Sequence, residues 1–286
     1  MGLSEPSPPV SHPGGLPRVW SIMNAAPPSM NKEMQMQEPV SRWLEELEPA
    51  LREAGDATRA QGEKAYLKSD LEFIGTGVPH LRAVAKRFRK EFPDLAHADL
   101  IAVVQTLWGP PVHELRSLAI AILELYQKRL EPADLSLIEA ILRQCNTWAH
   151  VDWLAVNVAG PLLDRSPDGE EIRERWSRDS WMWLRRSALL SHLEALRAGA
   201  GDFEAFSGLA VGLLDEKEFF IRKAIGWILR DLSRKRPELA YGFLNAHLEA
   251  VSGLTLREGA RHLPERERED LLARYAQRGA LKRAKA

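Results

Sequence analysis

The sequence predicts an all-α chain built as a helix-pair solenoid, and three observations carry that prediction. From about Pro39 onward, apolar residues recur at helical spacing, with breaks at Pro, Gly and Asp. No stretch reads as part of a β-sheet. One helix pattern returns along the chain at a nearly constant interval, the mark of a repeat architecture.

Taken in order, the periodicity predicts helices over 40–54, 58–69, 79–92, 97–109, 112–129, 132–145, 149–164, 168–178, 181–197, 202–215, 218–234, 236–249, 254–262 and 265–277. The interruptions are Gly75-Thr76-Gly77, Gly109-Pro110-Pro111, Pro132, Pro167-Asp168-Gly169, Gly199–Asp202, Pro237 and Gly253. Residues 1–38 differ in texture. They carry many Pro, Ser, Gly and Met and no sustained periodicity, so they are expected to be a disordered extension or to precede a true start at Met30, Met34 or Met36. Residues 39–278 are the expected functional domain, and 279–286 a basic flexible tail.

The recurring pattern is clearest in Lys217–Asp231, KEFFIRKAIGWILRD. Phe220, Ile221, Ala224, Ile225, Ile228 and Leu229 make one apolar face, while Arg222, Lys223, Trp227 and Arg230 lie off it. Aligning other helices on that face gives reference positions Arg82, Arg116, Asp152, Arg186, Arg222 and Arg257, separated by 34, 36, 34, 36 and 35 residues. A second helix fits between each pair. The interval is close to that of a tetratricopeptide, but the W-x-x-L-G-x-x-Y signature is missing. About six short HEAT-like helix pairs, stacked into a curved superhelical solenoid, are expected.

Equivalent positions in stacked helices form a row along one wall, so this row reads Arg, Arg, Asp, Arg, Arg, Arg, thickened by Lys86, Arg185, Lys223 and Arg230. A basic inner wall fits a polyanion. The formal net charge is only −1, with 39 Lys and Arg, so any such surface comes from local placement. Asp152 is the exception in the row; it points either to chemistry or to an ion pair with Arg186 or Arg116. Trp148 lies four residues before Asp152, Trp183 three before Arg186 and Trp227 five after Arg222, which suggests an aromatic-lined notch. Each of these tryptophans could equally fill the gap between repeats.

Other classes are disfavoured. A single cysteine, Cys145, allows no internal disulfide and no multi-cysteine metal site. The eight histidines show no metal-ligand spacing, and His113-Glu114-Leu115-Arg116-Ser117 lacks the second histidine of a zinc-protease helix. There is no Walker A loop and no dinucleotide fingerprint. No cofactor and no metal are expected. No apolar run spans a membrane and no apolar signal core opens the chain, so a soluble protein of a reducing, bacterial-type cytoplasm is expected, and a monomer, because repeat ends with polar faces need no partner.

Four stretches, KEFFIRKAIGWILRD at 217–231, WLRRSALL at 183–190, TWAHVDW at 147–153 and YLKSDLEFIGTGVP at 66–79, make the chain recognisable. Over roughly residues 40–265 it resembles the DNA-alkylation-repair family of HEAT-like-repeat DNA glycosylases, the AlkD type. The resemblance implies excision of purines alkylated at N3 or N7 from duplex DNA, with the lesion left exposed while backbone and sugar are gripped. It implies Asp152 as the acid, Trp148 and Trp227 as the two tryptophans and Arg186 as the arginine of the site, with Tyr66 near the damaged nucleotide. Arg82, Arg116, Trp183, Arg222, Lys223 and Arg257 would contact DNA. Gly77, Ala149 and His150 depart from the family pattern, which bears on lesion preference. The family also includes members that bind DNA with little or no glycosylase activity, so a non-catalytic binder of damaged or branched DNA is the alternative. A protein-binding scaffold is a third reading, disfavoured by the Arg row and the tryptophans.

Overall fold

The structure, a computed structural model, describes residues 36–285. The expectation for residues 1–38 therefore falls almost wholly outside the described residues. The elements are α1 Glu38–Glu53, α2 Ala57–Leu67, α3 Val78–Glu91, α4 His97–Trp108, α5 His113–Leu125, α6 Leu135–Gln144, α7 Trp148–Leu154, α8 Gly160–Asp164, α9 Gly169–Ser177, α10 Met182–Leu190, α11 Leu193–Ala198, α12 Phe203–Gly212, α13 Phe219–Leu232, α14 Pro237–Ala246, α15 Gly253–Gly259 and α16 Glu265–Lys285. Short 3-10 turns follow α5, precede α6 and follow α15. Among the described residues there is no sheet, only one isolated parallel bridge between Glu72 and Val112. No helix among the described residues is long and apolar enough to cross a membrane.

The helices that carry the reference positions pack in chain order: α3 on α5, α5 on α7, α7 on α10, α10 on α13 and α13 on α15. The faces chosen by periodicity are the ones that bury. Ile221, Ala224, Ile225, Ile228 and Leu229 of α13 are fully covered, as are Leu118, Ala119, Ile122 and Leu123 of α5. Polar contacts repeat the same period. Tyr126 donates to the Phe92 carbonyl, Trp176 to Glu139, Arg186 to Asp152, Arg197 to Asp231 and Thr255 to the Arg222 carbonyl, each pair 33 to 37 residues apart. Each unit thus buries its apolar stripe, and bonds its polar edge, against the units before and after it.

Three boundaries differ from the sequence reading, each for a physical reason. The expected helix 149–164 is continuous but carries a π turn over Ala155–Ala159, just ahead of Pro161, whose missing N–H and bulky ring disturb regular α bonding there. The expected helix 181–197 breaks at Ser191–His192. There the Ser191 hydroxyl donates to the Ala188 carbonyl and accepts from Arg173, and the Ser191 carbonyl is so close to Gly160 that a Cβ on that glycine would lie 2.4 Å away. At the other end, α16 continues as helix to Lys285, where a flexible tail is expected from 279.

One loop bears on the site. After α2 ends at Lys68, in the left-handed conformation with φ 50°, the chain turns through Gly75 at φ 88°, where a Cβ would strike the Asp56 carbonyl at 2.0 Å. The turn is held from beneath by Glu114 of α5, which is fully buried. Its carboxylate accepts the backbone N–H groups of Ile74 (2.9 Å), Gly75 (2.6 Å) and Thr76 (3.3 Å). Because those donors have no water to fall back on, Glu114→Ala is expected to destabilise the fold by about 3 kcal/mol, or roughly 10 °C in a thermal melt. A melt lowered by less than roughly 3 °C would show that the clamp matters little.

Candidate functional site

The site is assembled from consecutive repeats. Asp152 on α7 accepts two parallel bonds from Arg186 on α10, Nε to Oδ1 and Nη2 to Oδ2, both 2.7 Å. This two-pronged geometry is the strongest form of a carboxylate–guanidinium pair and fixes the carboxylate plane. Arg186 also donates from Nη1 to the Phe220 carbonyl on α13, and its guanidinium lies 5.7 Å from the Phe220 ring. One arginine, only 3 % exposed, thereby ties three successive repeats together.

Trp148 lies one helical turn before Asp152 on α7, so the two share a face. The Tyr66 ring meets Trp148 edge-on, with centroids 6.0 Å apart, and Tyr66 is 73 % exposed. An exposed aromatic held by a second aromatic is a ready contact surface for sugar or base. Trp227 sits seven residues after Phe220, close to two full turns on, so the two share a side of α13; Phe220, expected on the buried face, is only half-buried and lies with Trp227 at its edge. Its Nε1 donates to Asp231 at 3.2 Å.

Other expected contacts change character. Trp183 is buried and packs on Phe220 with centroids 4.9 Å apart; it supports the site from below and presents no surface to DNA. The row of arginines keeps its register, but its charges are largely committed. Arg82 pairs with Glu124 at 3.2 Å and covers the Trp153 ring at 4.6 Å. Arg116 donates to the Trp108 and Pro110 carbonyls and lies over Trp108, and burial pushes its guanidinium down. Arg222 donates to the Glu216 carbonyl at 2.7 Å, and Lys223 pairs with Glu258. Arg257 is exposed and has no ion pair among the described residues. The thickening residues Arg185 and Arg230 pair with Glu216 and Glu258. The expected continuous basic wall is therefore interrupted: Arg82, Lys223, Arg185 and Arg230 face carboxylates, Arg116 and Arg222 are bound to backbone carbonyls, and Arg257 stands exposed. A shallow depression lies beside Arg82, Lys86 and Glu124, and Asp152 does not line it.

Sequence reasoning missed three features. Phe219, the first residue of α13, is 56 % exposed and stands edge-on to Phe220; the doubled phenylalanine was its signal. Asp231 is buried against Trp227, at a position that periodicity leaves polar. A column of rings runs from the loop after α2 through α5 to α7: Phe73 stacks on His113 at 4.4 Å, His113 on His150 at 4.5 Å, and Trp108 of α4 meets His150 at 5.8 Å. His150 Nε2 lies 3.0 Å from the Ser117 hydroxyl and 3.2 Å from the His113 carbonyl; a carbonyl only accepts, so Nε2 carries the proton. Burial pushes His113 down to about 4, with Glu63 opposing, and His113 Nδ1 has no partner among the described residues. Burial, reinforced by His113, pushes His150 well below its ordinary value.

Helix pairs stacked in chain order define an all-α repeat architecture, in which the Asp152–Arg186 pair joins successive repeats beside Trp148. The family model described as DNA alkylation repair enzyme matches residues 47–263, well over half of the chain, and the chain belongs to that family. DNA is accordingly its partner and alkylation repair its field. Among solved structures, a "Predicted DNA alkylation repair enzyme from Enterococcus faecalis" is similar with a TM-score of 0.66 and 23 % identity. The match covers 74 % of this chain and 97 % of that one. At that identity the likeness speaks for the fold. No curated protein matches the chain.

The buried histidines give a pH dependence. Unfolded histidines titrate near 6.5, whereas His113 does so at about 4 in the fold and His192, also depressed by burial, at about 3. The unfolded chain therefore binds more protons between those values, and stability falls as pH drops below about 6.5. Each such ring is expected to cost about 2 kcal/mol by pH 5. In thermal melts from pH 7.5 to 5, His113→Phe, which keeps the stack, should flatten the decline; an unchanged slope would contradict the assignment.

Proposed function

We propose that the protein is a DNA glycosylase that excises positively charged N3- or N7-alkylated purines from duplex DNA. The observation that carries this reading is the Asp152 carboxylate, held in a fixed plane by Arg186 on a face shared with Trp148. Family membership supports a role in alkylation repair, and the chemistry supports this particular reaction.

An alkylated purine already carries positive charge, so it leaves without a general acid. Breaking its N-glycosidic bond leaves electron deficiency at C1′ of the sugar. A carboxylate beside that carbon stabilises the developing oxocarbenium-like cation and orients the water that attacks it. The attacking water forms the C1′–O bond and releases its proton to surrounding water, while the bonding electron pair departs with the purine, which becomes neutral. Asp152 serves this role best as a preorganised acceptor, which the two-pronged arginine supports. The Trp148 and Trp227 faces would attract the cationic base or sugar, by about 0.5–2 kcal/mol each. Arg186 has three of its five N–H groups occupied, so a phosphate can reach only those left on Nη1 and Nη2. Its first role in this reading is to hold Asp152.

The ion pairs along the row fit DNA binding in a different way from a bare basic wall. Exposed pairs such as Arg82–Glu124 are individually weak, and a phosphate can replace their carboxylate. Binding should therefore weaken with salt. In single-turnover release from duplexes bearing N7-methylguanine or N3-methyladenine, Asp152→Asn is expected to slow excision at least about a hundredfold, with affinity for undamaged duplex nearly unchanged. Equal rates would remove Asp152 from the mechanism. No release by the unsubstituted chain, with salt-sensitive binding intact, would favour a non-catalytic DNA-binding protein.

A further inference from the structure

Asp231, near the end of α13, is 8 % exposed and takes four bonds. Oδ2 accepts from Trp227 Nε1 (3.2 Å) and from Arg197 Nε (3.1 Å) and Nη2 (2.8 Å), and Oδ1 accepts from Arg230 Nε (3.2 Å). Arg197 comes from α11, in the preceding repeat. Arg230 reaches on to Glu258 of α15, which also takes Lys223. Burial alone would raise the Asp231 carboxyl; hydrogen bonds from Arg197 and Arg230 outweigh it and hold the group below the usual carboxylate range.

An aspartate needed only as a counter-ion for Arg197 would require no indole. Here the single N–H of Trp227 is turned inward onto the carboxylate, across one helical turn. An indole has one polar atom, so fixing that atom fixes the ring about both side-chain torsions. The ring then lies on the α13 face that also carries Phe220, whose carbonyl holds Arg186. Released from Asp231, the indole keeps its packing area but loses the one bond that selects its orientation.

We propose that Asp231 is the positioning residue for Trp227: its carboxylate, anchored by Arg197 of the preceding repeat, holds the indole in the orientation that presents its ring to the DNA. This rests on the glycosylase reading above for its effect on rate, while the positioning itself is independent of that reading. The repeat period makes the device possible, because Arg197 and Asp231 stand 34 residues apart, the same interval that brings Arg186 to Asp152.

The test is a double-variant cycle in the full chain with Asp231→Leu and Trp227→Phe. It is read by single-turnover release from an N7-methylguanine duplex and by the Trp227 indole N–H resonance in ¹⁵N-labelled protein. Each single variant is expected to slow release about tenfold, and the pair by no more than about tenfold, because the second change removes nothing the first left in place. The indole resonance should shift upfield in Asp231→Leu. A merely structural role for Asp231 would slow release equally in both Trp227 backgrounds, so a product of the two losses, about a hundredfold, overturns the proposal. An unmoved resonance in Asp231→Leu overturns it as well. Asp231→Asn keeps an oxygen for the indole but no charge for Arg197, and serves where Asp231→Leu does not fold. It should stay within about threefold of the unsubstituted rate with its resonance unmoved; a tenfold loss that persists with Trp227→Phe contradicts the positioning role. If the unsubstituted chain releases no base, the glycosylase reading fails and the indole resonance alone decides whether Asp231 holds Trp227.

Discussion

The Asp152–Arg186 pair is the interaction on which the site depends. A carboxylate and a guanidinium largely withdrawn from water are stable only when each satisfies the other and the remaining polar atoms find partners. Here both Asp152 oxygens are engaged, and the third arm of the arginine ends on the Phe220 carbonyl. The pair fixes the carboxylate, links three repeats, and brings the Phe220–Trp227 face of α13 into register with the Trp148 face of α7. Its geometry is two-pronged, so it specifies direction as well as charge.

That register follows from the repeat. A period near 35 residues places residue i beside residue i + 34 to i + 37 on the next helix of the row, and the structure uses this adjacency many times. Arg143 reaches Asp179, Arg197 reaches Asp231, and Lys223 reaches Glu258. Stacked repeats with no sheet between them need polar edges that satisfy one another, and a ladder of ion pairs does this while leaving a surface on which phosphates can compete for the basic partner. The same ladder explains a near-neutral chain that belongs to a DNA-repair family. Its basic groups are balanced within the protein.

Much of this was legible in the sequence. Helix existence, the apolar faces and the row containing Asp152 and Arg186 all follow from periodicity, because each repeat has one way to bury its stripe. Sequence spacing allows Asp152 to pair with either Arg186 or Arg116, and only side-chain reach separates them. Burial of Trp183 was not legible. A tryptophan three residues before the arginine sits as well on one side of the helix as the other, and Phe220 decides the matter. Glu114 and Asp231 were missed for a related reason. Each is an acid on an otherwise ordinary helix, and its importance comes from distant donors, 38 to 40 residues away for Glu114 and 34 for the Arg197 that anchors Asp231. The break at Ser191 also depends on contacts between repeats, whereas the π turn after Asp152 has a local sign in Pro161.

The central claim is that the two-pronged geometry of the arginine, and not its charge alone, makes Asp152 effective. Arg186→Lys tests it directly, because lysine keeps the charge but offers a single ammonium in place of the planar fork. Single-turnover release from an N7-methylguanine duplex should fall at least about tenfold, while affinity for undamaged duplex stays within about twofold. Release unchanged in Arg186→Lys would contradict the account and reduce the pair to simple charge balance.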